Sequence, residues 1–205
     1  MKKMLLFAAV LLITFAATAQ DKKTTKENKW KARARVIAAI PPSNNYDLSA
    51  TSHVSISTAV VPELDFTYFF TKNLAAELIL GTTHHTVKSK STTSTDLGKV
   101  WLLPPTLNLQ YHFNQPKFDP YVGVGINYTI FYGVSDNAAP LAYKNNVGFS
   151  TQLGMDYNLN DKWFLNLDIK KIFLKTDVSI KGTTTFLSGV KVDPFVIGLG
   201  AGLRF

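Results

Sequence analysis

The side chains able to do chemistry near neutral pH are few: four histidines, His53, His84, His85 and His112, and no cysteine in 205 residues. In His53-Val54-Ser55 a base and a hydroxyl are two positions apart, so on a strand they share a face and could act as base and nucleophile if an acid such as Glu63 stood nearby. The pair sits at a polar loop boundary, which argues against catalysis. His84 and His85 are adjacent, face opposite sides of a strand and cannot present one metal with two ligands. His112 falls on an inward face near charged residues, where a hydrogen bond to a carboxylate is expected. Gly123, Gly125, Gly198, Gly200 and Gly202 alternate along strands with no helix after them, so they make room for large side chains opposite and form no phosphate-binding loop. No catalytic residue, metal site or cofactor is expected.

The positioning elements are strands. From Trp101 to Tyr132 two alternating runs flank a four-residue polar turn. In the first, Leu103, Pro105, Leu107, Leu109, Tyr111 and Phe113 share one face, and Thr106, Asn108, Gln110 and His112 share the other. In the second, Val122, Val124, Ile126, Tyr128, Ile130 and Tyr132 alternate with small or polar residues. Apolar faces this tall, ending in aromatics, read as a transmembrane β-hairpin. Eight such strands are expected, near 30–42, 55–70, 73–87, 99–113, 118–133, 146–159, 162–177 and 189–205. Tight turns at Thr71-Lys72, Asn114–Lys117 and Asn160-Asp161 alternate with long polar segments near 43–54, 88–98, 134–145 and 178–188. The fold class is therefore all-β, an eight-stranded antiparallel transmembrane β-barrel with short turns and both ends on the periplasmic side. Trp30, Phe70, Tyr111, Phe113, Tyr157 and Trp163 supply a girdle at that end.

Several strings carry a resemblance. LPPTLNLQYHF, KFDPYVGVGINYT, DKWFLNLDIKK and the terminal DPFVIGLGAGLRF are similar, in order, to segments of the OmpW family of bacterial outer-membrane proteins. The segments 43–58, 86–98, 133–146 and 179–189 show no such likeness. The resemblance implies an outer-membrane barrel that passes small hydrophobic molecules. His53-Val54-Ser55 resembles, weakly, the His-x-Ser of outer-membrane lipid A deacylase barrels. The terminal Phe205 looks like the signal read by the barrel-assembly machinery, an expected partner during biogenesis.

Residues 1–19, with Lys2 and Lys3, an apolar run to Ala17 and the Ala17-Thr18-Ala19 site, are expected to be a cleaved signal peptide, and residues 20–29 a periplasmic tail preceding the barrel at 30–205. Losing Lys2 and Lys3 lowers the net charge from +8 to +6. Lys22, Lys23, Lys26, Lys29 and Lys31 at one interface and Lys88 and Lys90 at the other suit either a solvated surface or anionic outer-membrane lipids. No nucleic-acid motif appears.

Parity assigns the lumen. Near the periplasmic end Arg33, Arg35, Glu63, Asp65, Glu77, Asp119, Asp156, Asp168 and Arg204 point inward, and a barrel of eight strands is filled by its own side chains, so these charges are expected to pair as a closed polar plug. Higher up the lining turns apolar, with Ile37, Ala39, Val61, Leu102, Phe131, Ile172, Leu174 and Val196, joined by Pro41, Ala59, Pro104 and Pro194. An apolar cavity above a charged plug suits a small hydrophobic solute. Such a solute has no favourable way straight down. Prolines remove ladder donors, and with the lateral-diffusion channels that the resemblance implies, Pro41 and Pro62 mark an expected opening between the first two strands. The alternatives are a structural or surface-interaction barrel of the OmpX type and, third, a lipid A-modifying enzyme.

Overall fold

The computed structural model describes residues 28–43, 45–49, 52–90, 94–136, 141–180 and 186–205. The expected signal at 1–19 and the tail up to residue 27 lie outside the described residues. The elements in chain order are β1 (Trp30–Ile40), β2 (Tyr46–Ser49), β3 (Ser52–Ile56), β4 (Ala59–Phe69), β5 (Leu74–Gly81), β6 (Thr83–Lys90), β7 (Ser94–Leu103), β8 (Thr106–His112), β9 (Phe118–Asp136), β10 (Leu141–Tyr143), β11 (Asn146–Asn158), β12 (Trp163–Phe173), β13 (Lys175–Ile180), β14 (Phe186–Lys191) and β15 (Phe195–Arg204).

Eight of them close a barrel in the order β1-β4-β5-β8-β9-β11-β12-β15, with β15 returning to β1 through ten register pairs from Lys31↔Arg204 to Ile40↔Phe195. At the turn end the chain termini of the barrel seal each other: Trp30 N–H donates to Phe205 O at 3.1 Å and Phe205 N–H to Trp30 O at 3.0 Å. A closed sheet leaves no unpaired edge in a bilayer, where no water can satisfy one. Among the described residues no helix is long and apolar enough to cross a membrane; the strands do so.

Alternation decides what each face meets. On β8, Leu107, Leu109 and Tyr111 are each about half exposed, while Thr106, Asn108, Gln110 and His112 are at most 2 % exposed. The outward set over the whole barrel is aliphatic, and aromatics band both ends. Trp30 meets Tyr68 at 4.8 Å and Phe118 meets Tyr157 at 5.1 Å at the turn end. Trp101 lies between His84 at 4.7 Å and Tyr132 at 6.2 Å at the loop end. Inside, glycine makes the fit: any Cβ at Gly202 would collide with the Phe164 ring, and one at Gly154 with Tyr121.

Above the bilayer band the wall does not stop where the sequence reading ended it. The polar segments taken as loops continue the sheet, because β7 pairs with the upper part of β9, β6 with β7, β3 with β6 and β2 with β3, while β10, β13 and β14 form a second sheet. Sequences polar on both faces carry no buried-face signal, and here hairpin continuity extends the strands in its place.

Candidate functional site

The lumen has two storeys. The lower is a network of side chains from β1, β4, β5, β8, β9, β11 and β12. Arg33 Nε donates to Asp65 Oδ1 at 2.7 Å and its Nη2 to Glu77 Oε1 at 2.8 Å and Thr67 Oγ1 at 2.6 Å. Arg35 lies 2.8 Å from Asp65 Oδ2 through Nη2 and 2.9 Å from Glu63 Oε1 through Nε. Asp156 lies 3.6 Å from Arg33, and Asp168 lies 3.5 Å from Arg35. The structure thus brings Arg33, Arg35, Glu63, Asp65, Glu77, Asp156 and Asp168 together. Arg204 stays apart from these pairs: it donates to Asn158 Oδ1 at 2.5 Å and stacks on Phe164 at 4.7 Å.

Two lysines complete the network that the sequence reading placed elsewhere or passed over. Lys31, expected at an interface facing either solvent or anionic lipid, is 3 % exposed and donates to Asp156 at 2.8 Å and Asp119 at 3.2 Å. Its position two residues before Arg33 puts it on the same inward face, and unpaired carboxylates there draw it in. Lys170 donates to Asp168 Oδ1 at 2.7 Å and Glu63 Oε1 at 3.0 Å. Amides link the charges. Gln152 Nε2 donates to Asp168 at 2.7 Å and Glu77 at 2.9 Å, and its oxygen accepts from Gln110 at 2.9 Å and Asn108 at 3.1 Å. Tyr121 donates its hydroxyl to Asp168 at 2.8 Å.

His112 contacts Asp119 through Nδ1 at 3.0 Å and stacks on Tyr121. His112, Asp119 and Asp156 lie close enough to suggest metal ligands. The Lys31 ammonium already occupies the point where the two carboxylates meet, so a metal would have to displace a buried, doubly bonded cation. His53 and Ser55 share a face of β3, opposite Lys90 and Lys88 of β6. Glu63 is held far below by Arg35 and Lys170, so the acid that a hydrolytic site requires is not brought to them. His84 and His85 do face opposite ways: His84 packs on Trp101, and buried His85 meets Ser57 O at 2.6 Å.

The upper storey is apolar. Ile37, Ala39, Leu102, Ile172, Leu174 and Val196 belong to one buried cluster, with Val61 and Phe131 packed against it half-buried. Within it are two cavities of about 50 Å³ each. The upper is bounded by residues such as Val54, Val100, Phe131 and Val178. The lower reaches from Pro41 and Val196 down to Glu63 and Lys170. Leu102 and Val192 border both, so these two side chains form the waist between them.

The wall around the lower cavity is uneven. Between β1 and β4 the ladder is continuous from Trp30↔Tyr68 to Ala39↔Ala59, and Pro62 stands opposite Val36 within it. Above Pro41, which is buried, Asn45 closes the wall: its N–H and O pair with Val54 and Lys191, its Nδ2 donates to Lys191 O at 2.6 Å, and its Oδ1 accepts from Ile56 N–H. The expected gap between the first two strands is therefore paired, and Asn45 is a residue that sequence reasoning missed. On the other flank of β4 the ladder ends at Glu63↔Gly81 and pairing resumes at Ser57, whose N–H donates to Thr86 O at 2.9 Å, and at Ile56↔Val87 on β3 and β6. Between the next strands it stops at Ile79↔Thr106 and resumes at Thr83↔Leu102, leaving Leu80–Thr82 facing Leu103–Pro105 without a ladder pair. A strand residue directs its N–H and C=O to one neighbour. Since the β1 ladder runs past Pro62 intact, the donor missing at Pro62 is missing on the β5 side.

The profile of the OmpW family matches residues 14–205. The outer-membrane protein y4mB of Sinorhizobium fredii is 44 % identical over 185 residues, 86 % of this chain and 80 % of that one. Outer membrane protein W of Vibrio cholerae is 31 % identical over 195 residues, 88 % and 90 % of the two chains. The crystal structure of OprG from Pseudomonas aeruginosa superposes with a TM-score of 0.76 at 26 % identity, covering 90 % of this chain and 99 % of that one.

Proposed function

The chain belongs to the OmpW family of outer-membrane proteins, and from that premise we propose that its barrel is a passive conduit by which small hydrophobic molecules leave the cell exterior and enter the membrane. The observation that carries this reading is the pair of apolar cavities stacked over a buried ion-pair network. An apolar solute gains about 25 cal/mol per Å² of surface removed from water, so the upper storey attracts it. The charged network repels it, because entry there would strip hydrogen bonds from buried charges.

The solute then has one soft direction, sideways. The proposed exit is the wall patch bounded by Pro62, Gly81, Thr82, Leu103 and Pro104, where the ladders on both flanks of the Gly81 segment are interrupted. Opening it breaks fewer ladder bonds than parting β1 from β4. Pro62 keeps its place at the rim, and Pro41 becomes part of the cavity lining.

The test is entry of a panel of apolar solutes into proteoliposomes carrying the protein. Entry faster than into protein-free liposomes supports the conduit. Equal rates across the panel overturn it in favour of a structural or surface-interaction barrel, whose upper cluster is packing alone.

A further inference from the structure

The floor of the lower cavity is not apolar. Lys170 and Glu63 border it, each no more than 5 % exposed. An ammonium carries three N–H donors. Lys170 uses two, on Asp168 Oδ1 and Glu63 Oε1, and the third has no partner among the described residues. Glu63 shows the converse. Lys170 and Arg35 both approach its Oε1, at 3.0 and 2.9 Å, and its Oε2 has no partner among the described residues. A spare donor and a spare acceptor thus adjoin one another at the bottom of a cavity whose walls are mostly hydrocarbon, with Ile37, Ile79, Ile172 and Val196 among them, and are interrupted by Thr83, His85, Thr106 and Thr129.

We propose that this floor is a head-group site for the hydroxyl of an aliphatic alcohol, with the chain rising along the apolar walls towards Leu102 and Val192. The proposal rests on the conduit reading and narrows its substrate class. A hydroxyl both accepts and donates, so it satisfies Lys170 and Glu63 together. A ketone uses the lysine alone. A carboxylate brings a negative charge to a buried network in which Glu63, Asp65, Glu77, Asp119, Asp156 and Asp168 face Lys31, Arg33, Arg35 and Lys170, two anions in excess before any charge on His112. A hydrocarbon leaves the third Lys170 donor and Glu63 Oε2 unsatisfied, which costs free energy at a buried position.

The test uses the unaltered protein, labelled with ¹⁵N-lysine in lipid nanodiscs and titrated with 1-octanol, n-octane and octanoate. The expected result is a saturable shift of the Lys170 Nζ resonance with 1-octanol and none with n-octane or octanoate. Lys171, whose ammonium sits over the outward Phe195 ring at 4.3 Å, reports effects of solute in the lipid within the same spectrum. A Lys170 signal unmoved by 1-octanol, or moved as much by n-octane or octanoate, overturns the site and leaves the floor to trapped water. Entry of n-octane and 1-octanol into proteoliposomes is measured separately. If both enter while Lys170 stays silent, the head-group site falls and the conduit stands; if neither enters faster than into empty liposomes, the conduit itself falls.

Discussion

Arg33 and Asp65 stand directly opposite one another on β1 and β4, and Arg33 Nε donates to Asp65 Oδ1 at 2.7 Å. The same register places Arg35 opposite Glu63, 2.9 Å away through Nε. Ladder and ion pairs therefore specify one alignment. A slip of one residue would turn both guanidinium groups towards lipid and the facing aliphatic residues inward, so these ion pairs specify the register of the two strands.

Arg35 is the most connected cation of that alignment, with Glu63, Asp65, Glu77 and Asp168 all within 3.5 Å. Arg35→Met leaves those carboxylates buried with fewer partners, and breaking such a network costs about 3–5 kcal/mol. Lys90→Met, at an exposed position on β6, is expected to change stability by less than about 0.5 kcal/mol. Denaturant midpoints of the two variants in the same bilayer measure the difference, and equal midpoints contradict the role given to Arg35.

Orientation is read from lysines. Lys72, Lys117 and Lys162 are exposed at the turn end, and Lys88, Lys90, Lys144 and Lys191 are exposed at the loop end. A membrane-impermeant amine reagent applied to intact cells is expected to modify the second set and spare the first. Modification of Lys72, Lys117 and Lys162 instead would show that the turns face outward.

Much of this was legible because period-two alternation carries it. Leu107, Leu109 and Tyr111 against Asn108, Gln110 and His112 give the lipid face and the lumen in one reading, and the charges two apart on β1 give the plug. The same rule contained Lys31 and Lys170, each two residues from a plug member, yet a lysine near a strand end reads equally well as an interfacial anchor. Only the carboxylates of β9 and β11, Asp119 and Asp156, brought across the barrel, decide that Lys31 turns inward. Asn45 was beyond reach for a different reason: its partner Lys191 lies 146 residues away, and nothing local marks a polar residue as the closure between two distant strands. Pro62 was legible as a missing donor, but not which neighbour lacks it, since that depends on the pairing phase along β4.

The waist gives a prediction about capacity. Leu102 and Val192 border both cavities, so Leu102→Trp closes the passage with apolar bulk and is expected to reduce solute entry at least about tenfold, equivalent to about 1.4 kcal/mol on the barrier. Leu102→Ala widens it, raises entry and lowers stability by about 2–5 kcal/mol. Entry rates into proteoliposomes, normalised to folded barrel, check both signs. An unchanged rate in Leu102→Trp would mean that solutes do not pass between the cavities.

The exit is settled by choosing which strands may part. Two cysteine pairs lie on the outward face, clear of the lumen. Ala38→Cys with Val60→Cys bridges β1 and β4, directly opposed in a ladder that is already continuous. Thr82→Cys with Leu103→Cys bridges the stretch between Ile79↔Thr106 and Thr83↔Leu102, where no ladder pair holds the wall. That stretch is restrained from above by the Thr82 hydroxyl, which meets Leu102 O at 3.2 Å and the Tyr132 hydroxyl at 2.5 Å. These contacts are few and lie at the rim, so they can yield without unzipping a strand, whereas parting β1 from β4 also breaks the ion pairs of Arg33 and Arg35 with Asp65 and Glu63. If solute leaves through the unpaired patch, oxidation of the Thr82–Leu103 pair abolishes entry and reduction restores it, while the Ala38–Val60 pair transports equally in both states. The reverse pattern moves the exit to the seam between β1 and β4. Undiminished entry with both pairs oxidised removes lateral exit from the mechanism, and the route would then have to cross the plug, where Arg35→Met would raise entry as well as lower stability.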